Sequence, residues 1–423
     1  MRRALLATLA VGVLLLTTGL VVSRPERPRT AISAGAAGAS AANAGPLTPY
    51  EKAVASLREH SKALIGGDEQ GWLAAVDGPL KARYRAMFRS LRALDVTRFD
   101  YAAGIGQPVA GKPTSVSFRA EVSYCLGTDM CPDKAGSDWQ KPPRIEQKLT
   151  LRPVGGRYVI SAAGPGPSDD PRRPAPWENG ELVALRGTRV TLFAAPAQRR
   201  YLSQVLPVAE AAAKIDDRFA AMIGTPQSRY RIYLAGESQW RRWYGGEEDD
   251  WAIGLAIPLN MYGIDVMLRM KELEDDPVML RVALQHELGH VVTLSGAYRA
   301  DAAEDTWLSE GIAEYIGWSP VSAARSLRRG SVRWQLNREK ATSMIPKQPG
   351  PDDSPRTGDA FYGLSHLAVD CMAKKYGDTR LFTFVRLVLT QDNELDQASR
   401  DAYGVPFATV DRACVRWVRR QVL

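Results

Sequence analysis

The spacing of apolar residues changes period along this chain. Tyr50, Val54, Leu57, Leu64 and Ile65 recur at helical intervals and stop at Gly66-Gly67. Ahead of them, Thr48-Pro49-Tyr50-Glu51 has the form of a capping box with proline at the first helical position. A second helical stretch covers residues 79–94. The period then becomes two. Val116, Phe118, Ala120, Val122 and Tyr124 alternate with other residues, and Ile145, Leu149 and Leu151 repeat the pattern. Gly155-Gly156 before Tyr158-Val159-Ile160 signals a hairpin. Residues 48–163 therefore predict an α+β domain of helices followed by an antiparallel sheet.

Residues 164–176, GPGPSDDPRRPAP, read as a linker and place a domain boundary. The second domain, 177–423, opens with strands at 182–185 and 189–193. A helix at 201–223, ended by Gly224, and a strand at 229–235 follow. Trp240 and Trp243 lie in a short helix at 239–244 and read as core anchors. Residues 245–250 form an acidic turn, read as a solvated loop. Strands at 253–257 and 264–268 lead into an apolar helix, with Asp276 as its cap and Pro277 in its first turn. Residues 319–356 are basic and then rich in Pro and Asp, a composition compatible with a cover over a cleft. Helices at 359–377, 379–389 and 407–422 close the chain. The expectation for this half is a mixed sheet with a mainly helical C-terminal part.

The N-terminus changes the setting. After MRR, residues 4–22 are apolar, so 1–23 read as a signal peptide or a membrane anchor. Residues 24–47, rich in Pro, Ala, Gly and Ser, read as a flexible tether. Cys125 and Cys131 lie six apart, and Cys371 and Cys414 fall in two C-terminal helices. Four cysteines without a CxxC suit two disulfides in an oxidising compartment, although four buried thiols fit the same count. The body is expected outside the membrane, either anchored or secreted. The net charge of +8 arises from 55 basic and 47 acidic residues spread over the chain, without a nucleic-acid-binding motif. No nucleic-acid partner is expected.

The chemistry concentrates at His286-Glu287-Leu288-Gly289-His290, an H-E-x-x-H segment within the apolar helix. Positions four apart share a helix face, so His286 and His290 can offer two imidazoles to one metal ion. Glu287 can then reach a water on that ion. Twenty residues after His290, in WLSEGIAEY, Glu310 is a third candidate ligand. Glu314, four further on, can hold the free nitrogen of a ligating histidine. Gly289 costs such a helix roughly 1 kcal/mol against alanine, which a close packing contact would explain. His60 reads as a surface or boundary histidine and His366 as a satisfied core or boundary one.

HELGH followed by WLSEGIAEY resembles the gluzincin metallopeptidases, which include thermolysin and the aminopeptidase N family. The resemblance implies one Zn2+ bound by His286, His290 and Glu310, with Glu287 as general base and Glu314 as supporting carboxylate. Tyr362, at the start of a downstream helix, matches the aminopeptidase tyrosine that donates a hydrogen bond to the tetrahedral intermediate. The Lys-Gly-Ala that follows that tyrosine in the family is not reproduced here. The G-x-M-E-N motif is also absent, which argues against an aminopeptidase and for an endopeptidase acting on peptide or protein substrates. The metzincin pattern fails, because Thr293 and Gly296 stand where Gly and His are required. In the gluzincin arrangement the edge strand before the metal helix pairs with extended substrate, and 264–268 is the candidate. The 48–163 pattern resembles the cystatin-like cone of the nuclear-transport-factor-like superfamily. Two rival readings remain: hydrolysis of a non-peptide bond, and an exported metal-binding or scaffold protein with a non-catalytic gluzincin domain.

Overall fold

The computed structural model describes residues 46–132, 136–166, 174–178, 180–247, 252–297, 305–350 and 352–423. Residues 4–22, most of the 24–47 tether, the middle of the 164–176 linker and the end of the acidic turn lie outside them. Among the described residues no helix is long and apolar enough to cross a membrane.

The first half packs α1 (Pro49–Gly66), α2 (Glu69–Ala74) and α3 (Lys81–Ala93) against an antiparallel sheet. Its strands are β1 (Val96–Ala103), β2 (Gln107–Val109), β3 (Lys112–Leu126), β4 (Arg144–Val154) and β5 (Arg157–Pro165). They run β1-β3-β4-β5, with β2 pairing beside β3. The Thr48–Glu51 capping box closes on both sides. His60 is buried, not at a surface or boundary, and stacks on Trp72 at 3.5 Å between ring centroids. Trp72 of α2, Tyr84 of α3 and Tyr101 of β1 surround the ring and leave no solvent for it, and only the packed domain brings those three together.

The second half contains β6 (Val183–Arg186), β7 (Val190–Ala194), α4 (Arg200–Ile223), β8 (Tyr230–Ala235) and α5 (Glu237–Trp240). Then come β9 (Gly254–Pro258), β10 (Ile264–Arg269), α6 (Met270–Leu273), α7 (Pro277–Leu294) and α8 (Thr306–Trp318). The chain ends with α9 (Arg329–Arg338), α10 (Pro355–Tyr376), α11 (Asp378–Val385), α12 (Leu395–Tyr403) and α13 (Phe407–Val422). The sheet order is β6-β7-β8-β10-β9, with parallel pairs β7–β8 and β8–β10 and antiparallel pairs at both ends.

That order corrects the expected edge. Residues 264–268 are interior, because β10 hydrogen-bonds to β8 on one side and β9 on the other. The hairpin folds outward, so the edge next to the metal helix is β9. Residues 319–356 are also more structured than their composition suggests. They contain α9, packed on α10, and they carry buried Arg328 into the site. Strands β1 and β2 and helix α12 were not anticipated from the sequence pattern.

The two halves share a core. In β7 to β10, alternate side chains point to opposite faces. Leu192, Ile232 and Val266 join the helices α4 and α7 on one face. Phe193, Tyr233, Leu255, Ile257 and Met267 join Phe99, Tyr124 and Trp177 on the other. A sheet buried on both faces explains why these strands read as continuous apolar runs. Trp240 and Trp243 belong to that second cluster. Polar contacts extend the seam. Arg231 of β8 pairs with Asp129 of the β3–β4 loop and with Asp265 of β10, which also accepts from the Tyr244 hydroxyl. Trp139 donates to the Ala297 carbonyl just beyond α7 at 3.1 Å. Cys125–Cys131 and Cys371–Cys414 are both disulfides, and the second ties α10 to α13.

Candidate metal centre

Three helices build the site. α7 starts where Asp276 accepts from the Val278 and Met279 amides, and Pro277 sets its first turn. It crosses α8 closely. A Cβ on Gly289 would lie 3.4 Å from Ala313 Cα, and one on Gly317 would lie 3.1 Å from His286 Cβ. α10 approaches α8 at Gly311, where a Cβ would come within 2.6 Å of the Ser365 carbonyl oxygen. These contacts account for glycines inside helices, where they otherwise cost stability.

His286 Nε2 and His290 Nε2 face each other at 3.0 Å. Glu310 Oε2 lies 3.3 Å from the first and 3.4 Å from the second. Three ligand atoms held about 2.1 Å from one tetrahedral ion would sit roughly 3.4 Å apart, so the spacing fits a single small cation. All three residues are buried. The donor set, two imidazoles and a carboxylate, suits zinc and other divalent first-row metals alike.

Charge supports the same fit. Arg328 pairs with Glu314 and Asp359, and the Glu310 carboxylate lies against both imidazoles, so carboxylates outnumber the one guanidinium at the site. Burial acts to lower His286, but the carboxylates of Glu310 and Glu314 outweigh it and raise the imidazole to about 10.

Glu287 is fully buried, and neither carboxylate oxygen has a hydrogen-bond partner among the described residues. Burial pushes its carboxyl well above the usual range. Gly254 of the edge strand makes room for it, since a Cβ there would lie 2.5 Å from Glu287 Oε1. Glu314 Oε1 lies 3.2 Å from His286 Nδ1, within ion-pair distance though off the straight hydrogen-bond line. Ser309 Oγ is 3.4 Å from His290 Nδ1. Glu314 is itself held by the Trp318 indole at 2.9 Å and by Arg328, whose Nε and Nη2 donate to its two oxygens at 2.8 and 2.9 Å. Arg328 also donates to Asp359 at 2.6 Å, and its Cζ lies 4.9 Å from the centroid of the Tyr362 ring.

Tyr362 is buried beside the cluster, its ring centroid 6.4 Å from that of His286. Burial raises its hydroxyl well above the ordinary value, and the nearby Glu310 carboxylate adds to this. The structure thus brings His286, Glu287, His290, Glu310, Glu314 and Tyr362 to one place. His366, one turn beyond Tyr362, is buried as expected of a core histidine, but it is not satisfied. Neither ring nitrogen meets a hydrogen-bond partner among the described residues. Burial lowers its pKa to about 4, so it stays neutral.

Sequence reasoning missed Arg328 and Gly254. Arg328 sits in an Arg-rich stretch, SLRRG, with nothing to set it apart from exposed neighbours. Gly254 lies in a strand segment, and its use depends on Glu287, more than thirty residues further along the chain. Comparison with protein-family models and with curated proteins finds no match for this chain.

Proposed function

We propose that this chain is a zinc-dependent peptidase of gluzincin type, acting as an endopeptidase on the outer side of the membrane. The observation that carries the reading is the convergence of His286, His290 and Glu310 beside the unpartnered carboxylate of Glu287. A site kept only for structural metal has no use for a fourth, uncommitted carboxylate. The zincin-type assignment of the second half rests on the mixed sheet, its edge hairpin and the two ligand-bearing helices. The cystatin-like assignment of the first half rests on helices packed against an antiparallel sheet.

His286, His290 and Glu310 would hold the ion, which when bound leaves one position for water and lowers that water's pKa to about 7. Glu287 takes the proton from the attacking water at a free carboxylate oxygen and passes it to the leaving amine. Tyr362 donates a hydrogen bond from its hydroxyl to the developing oxyanion. Glu314, fixed by Arg328 and Trp318, orients His286. Extended substrate would have to reach β9, the terminal strand of the sheet, whose Gly254 backs onto Glu287 and whose residues Gly254–Ile257 are buried.

Two measurements test this together. Metal analysis of the purified protein is expected to find one zinc per chain, and digestion of an unfolded protein such as casein is expected to stop with chelator and resume with zinc. Glu287→Gln is expected to keep the metal and lose about 10³-fold in turnover. Near-normal cleavage by that variant would overturn the assignment of the base. Bound zinc without cleavage of any peptide would favour the scaffold reading.

A further inference from the structure

We propose that Asp359 is a positioning residue: through Arg328 it fixes the turn of α10 that presents Tyr362 to the metal centre. The inference rests on the role given to Tyr362 under the proposed function.

The groups that must act together sit on different helices. His286 is on α7 with Glu314 of α8 behind it, whereas Tyr362 is on α10. Arg328, the N-cap residue of α9, joins the two sides. Its Nε and Nη2 donate to the two oxygens of Glu314 at 2.8 and 2.9 Å, and its Nη1 donates to Asp359 Oδ1 at 2.6 Å. Its Cζ stands 4.9 Å from the centroid of the Tyr362 ring.

α10 provides a seat for this side chain. Asp359, Tyr362 and Gly363 are three and four residues apart, so they share one face of the helix. A Cβ on Gly363 would come within 3.0 Å of Arg328 Cβ and 2.5 Å of Val332 Cγ2, so α9 closes on α10 only because that side chain is missing. Arg328 is 4% and Asp359 8% exposed, which puts their attraction beyond most solvent screening. On the other side of the same turns, Thr357, Ala360, Phe361 and Leu364 border a cavity of about 180 Å³. Packing therefore confines this end of α10 less than the far end, where Cys371 is bonded to Cys414.

The strengths of the two contacts decide which side yields when one is lost. Glu314 takes two charge-assisted bonds from the guanidinium and a third bond from the Trp318 indole, whereas Asp359 takes one. Removing the charge of Asp359 leaves Arg328 on Glu314 and releases α10. The hydroxyl of Tyr362 then loses its aim while the metal ligands keep theirs.

The test compares Asp359→Asn, Tyr362→Phe and the double variant in the full-length protein. It reads casein turnover, zinc affinity by competition with a chromophoric chelator, and amide hydrogen exchange. Asp359→Asn is expected to lower turnover at least about tenfold and to leave zinc affinity within about threefold of the wild type. Added to Tyr362→Phe it should cost less than about twofold, because the group it positions is already gone. Amides of 360–366 should exchange at least about tenfold faster and those of 306–318 at the wild-type rate. Asp359→Glu keeps the charge on a longer side chain and should fall between Asp359→Asn and the wild type in every reading. Equal losses from Asp359→Asn with and without the Tyr362 hydroxyl would overturn the proposal, since a purely structural ion pair behaves that way. So would a loss of zinc affinity as large as that of Glu314→Gln, or unchanged exchange at 360–366. A wild type that cleaves no peptide would sink the hydrolase reading instead, and exchange and zinc affinity would then decide whether Asp359 holds this turn.

Discussion

Glu287 depends on a missing side chain. Gly254 leaves the space its carboxylate occupies, and a methyl group there would come within 2.5 Å of Oε1. On the proposed reading, Gly254→Ala should therefore displace Glu287 and cut turnover by at least about tenfold, while metal content stays at the wild-type value. Unchanged turnover would mean that the strand yields instead. Arg328 poses the converse case, a side chain whose shape is needed. Its fork holds both oxygens of Glu314, which a lysine cannot do. Arg328→Lys should loosen Glu314 behind His286 and, on the proposed reading, weaken metal affinity roughly 10–100-fold, measured by competition with a chromophoric chelator. Arg328→Met should do more harm, because an unpaired buried carboxylate costs about 3–5 kcal/mol of stability. The histidines and Glu310 were legible as residue types at a spacing. Arg328 and Gly254 were not, because their partners are distant in sequence and nothing local marks them.

At the scale of the element, α1 carries a pH dependence into the first half. His60 is buried, stacked on Trp72 and within 3.1 Å of the Tyr101 hydroxyl, and burial lowers its pKa to about 3. Below pH about 6.5 the unfolded chain takes up a proton that the folded chain refuses. Stability therefore falls as the pH drops from about 6.5 toward 3, by about 2 kcal/mol at pH 5. Denaturant titrations at pH 7 and pH 5 should show the decline, and His60→Gln should reduce it by about that amount, leaving the share contributed by His366, which burial also lowers. In the second half, Cys371–Cys414 closes a loop with a sequence separation of 43 between α10 and α13. Loop entropy assigns such a link about 4 kcal/mol, so replacing both cysteines by serine should lower stability by up to that amount. Helix periods and caps placed α1, α4, α7, α10 and α13 in the sequence. The position of β9 at the edge was hidden, because β9 and β10 are equally apolar and pattern does not order strands across a sheet.

The whole molecule is bound by the sheet that faces both ways. Phe193, Tyr233, Leu255, Ile257 and Met267 pack against the first half. A fragment of 177–423 would expose that surface, so it should be poorly soluble or bind hydrophobic dyes, whereas the intact protein should unfold in a single transition. Two well-separated transitions would show that the seam contributes little. A divalent ion at the centre should add to the same transition, and chelation should lower its midpoint reversibly. The Pro/Gly-rich run at 164–176 looked like a boundary between independent units, and composition alone favours that reading. Composition does not say whether the faces on either side of a linker are complementary.

By itself, the sequence determined the helix that presents two imidazoles on one face, the capped starts of α1 and α7, the alternation of β3 and β4 and the carboxylate spacing after the metal helix. All of these are local, written in periods of two or 3.6 residues and in caps a few positions long. Tertiary structure decided which strand lies at the edge, that both sheets contribute to one core, and that a guanidinium and a glycine from distant segments complete the centre. Those outcomes depend on how faces fit once the chain has closed on itself, and no periodicity along the chain encodes the shape of a partner it has not yet met.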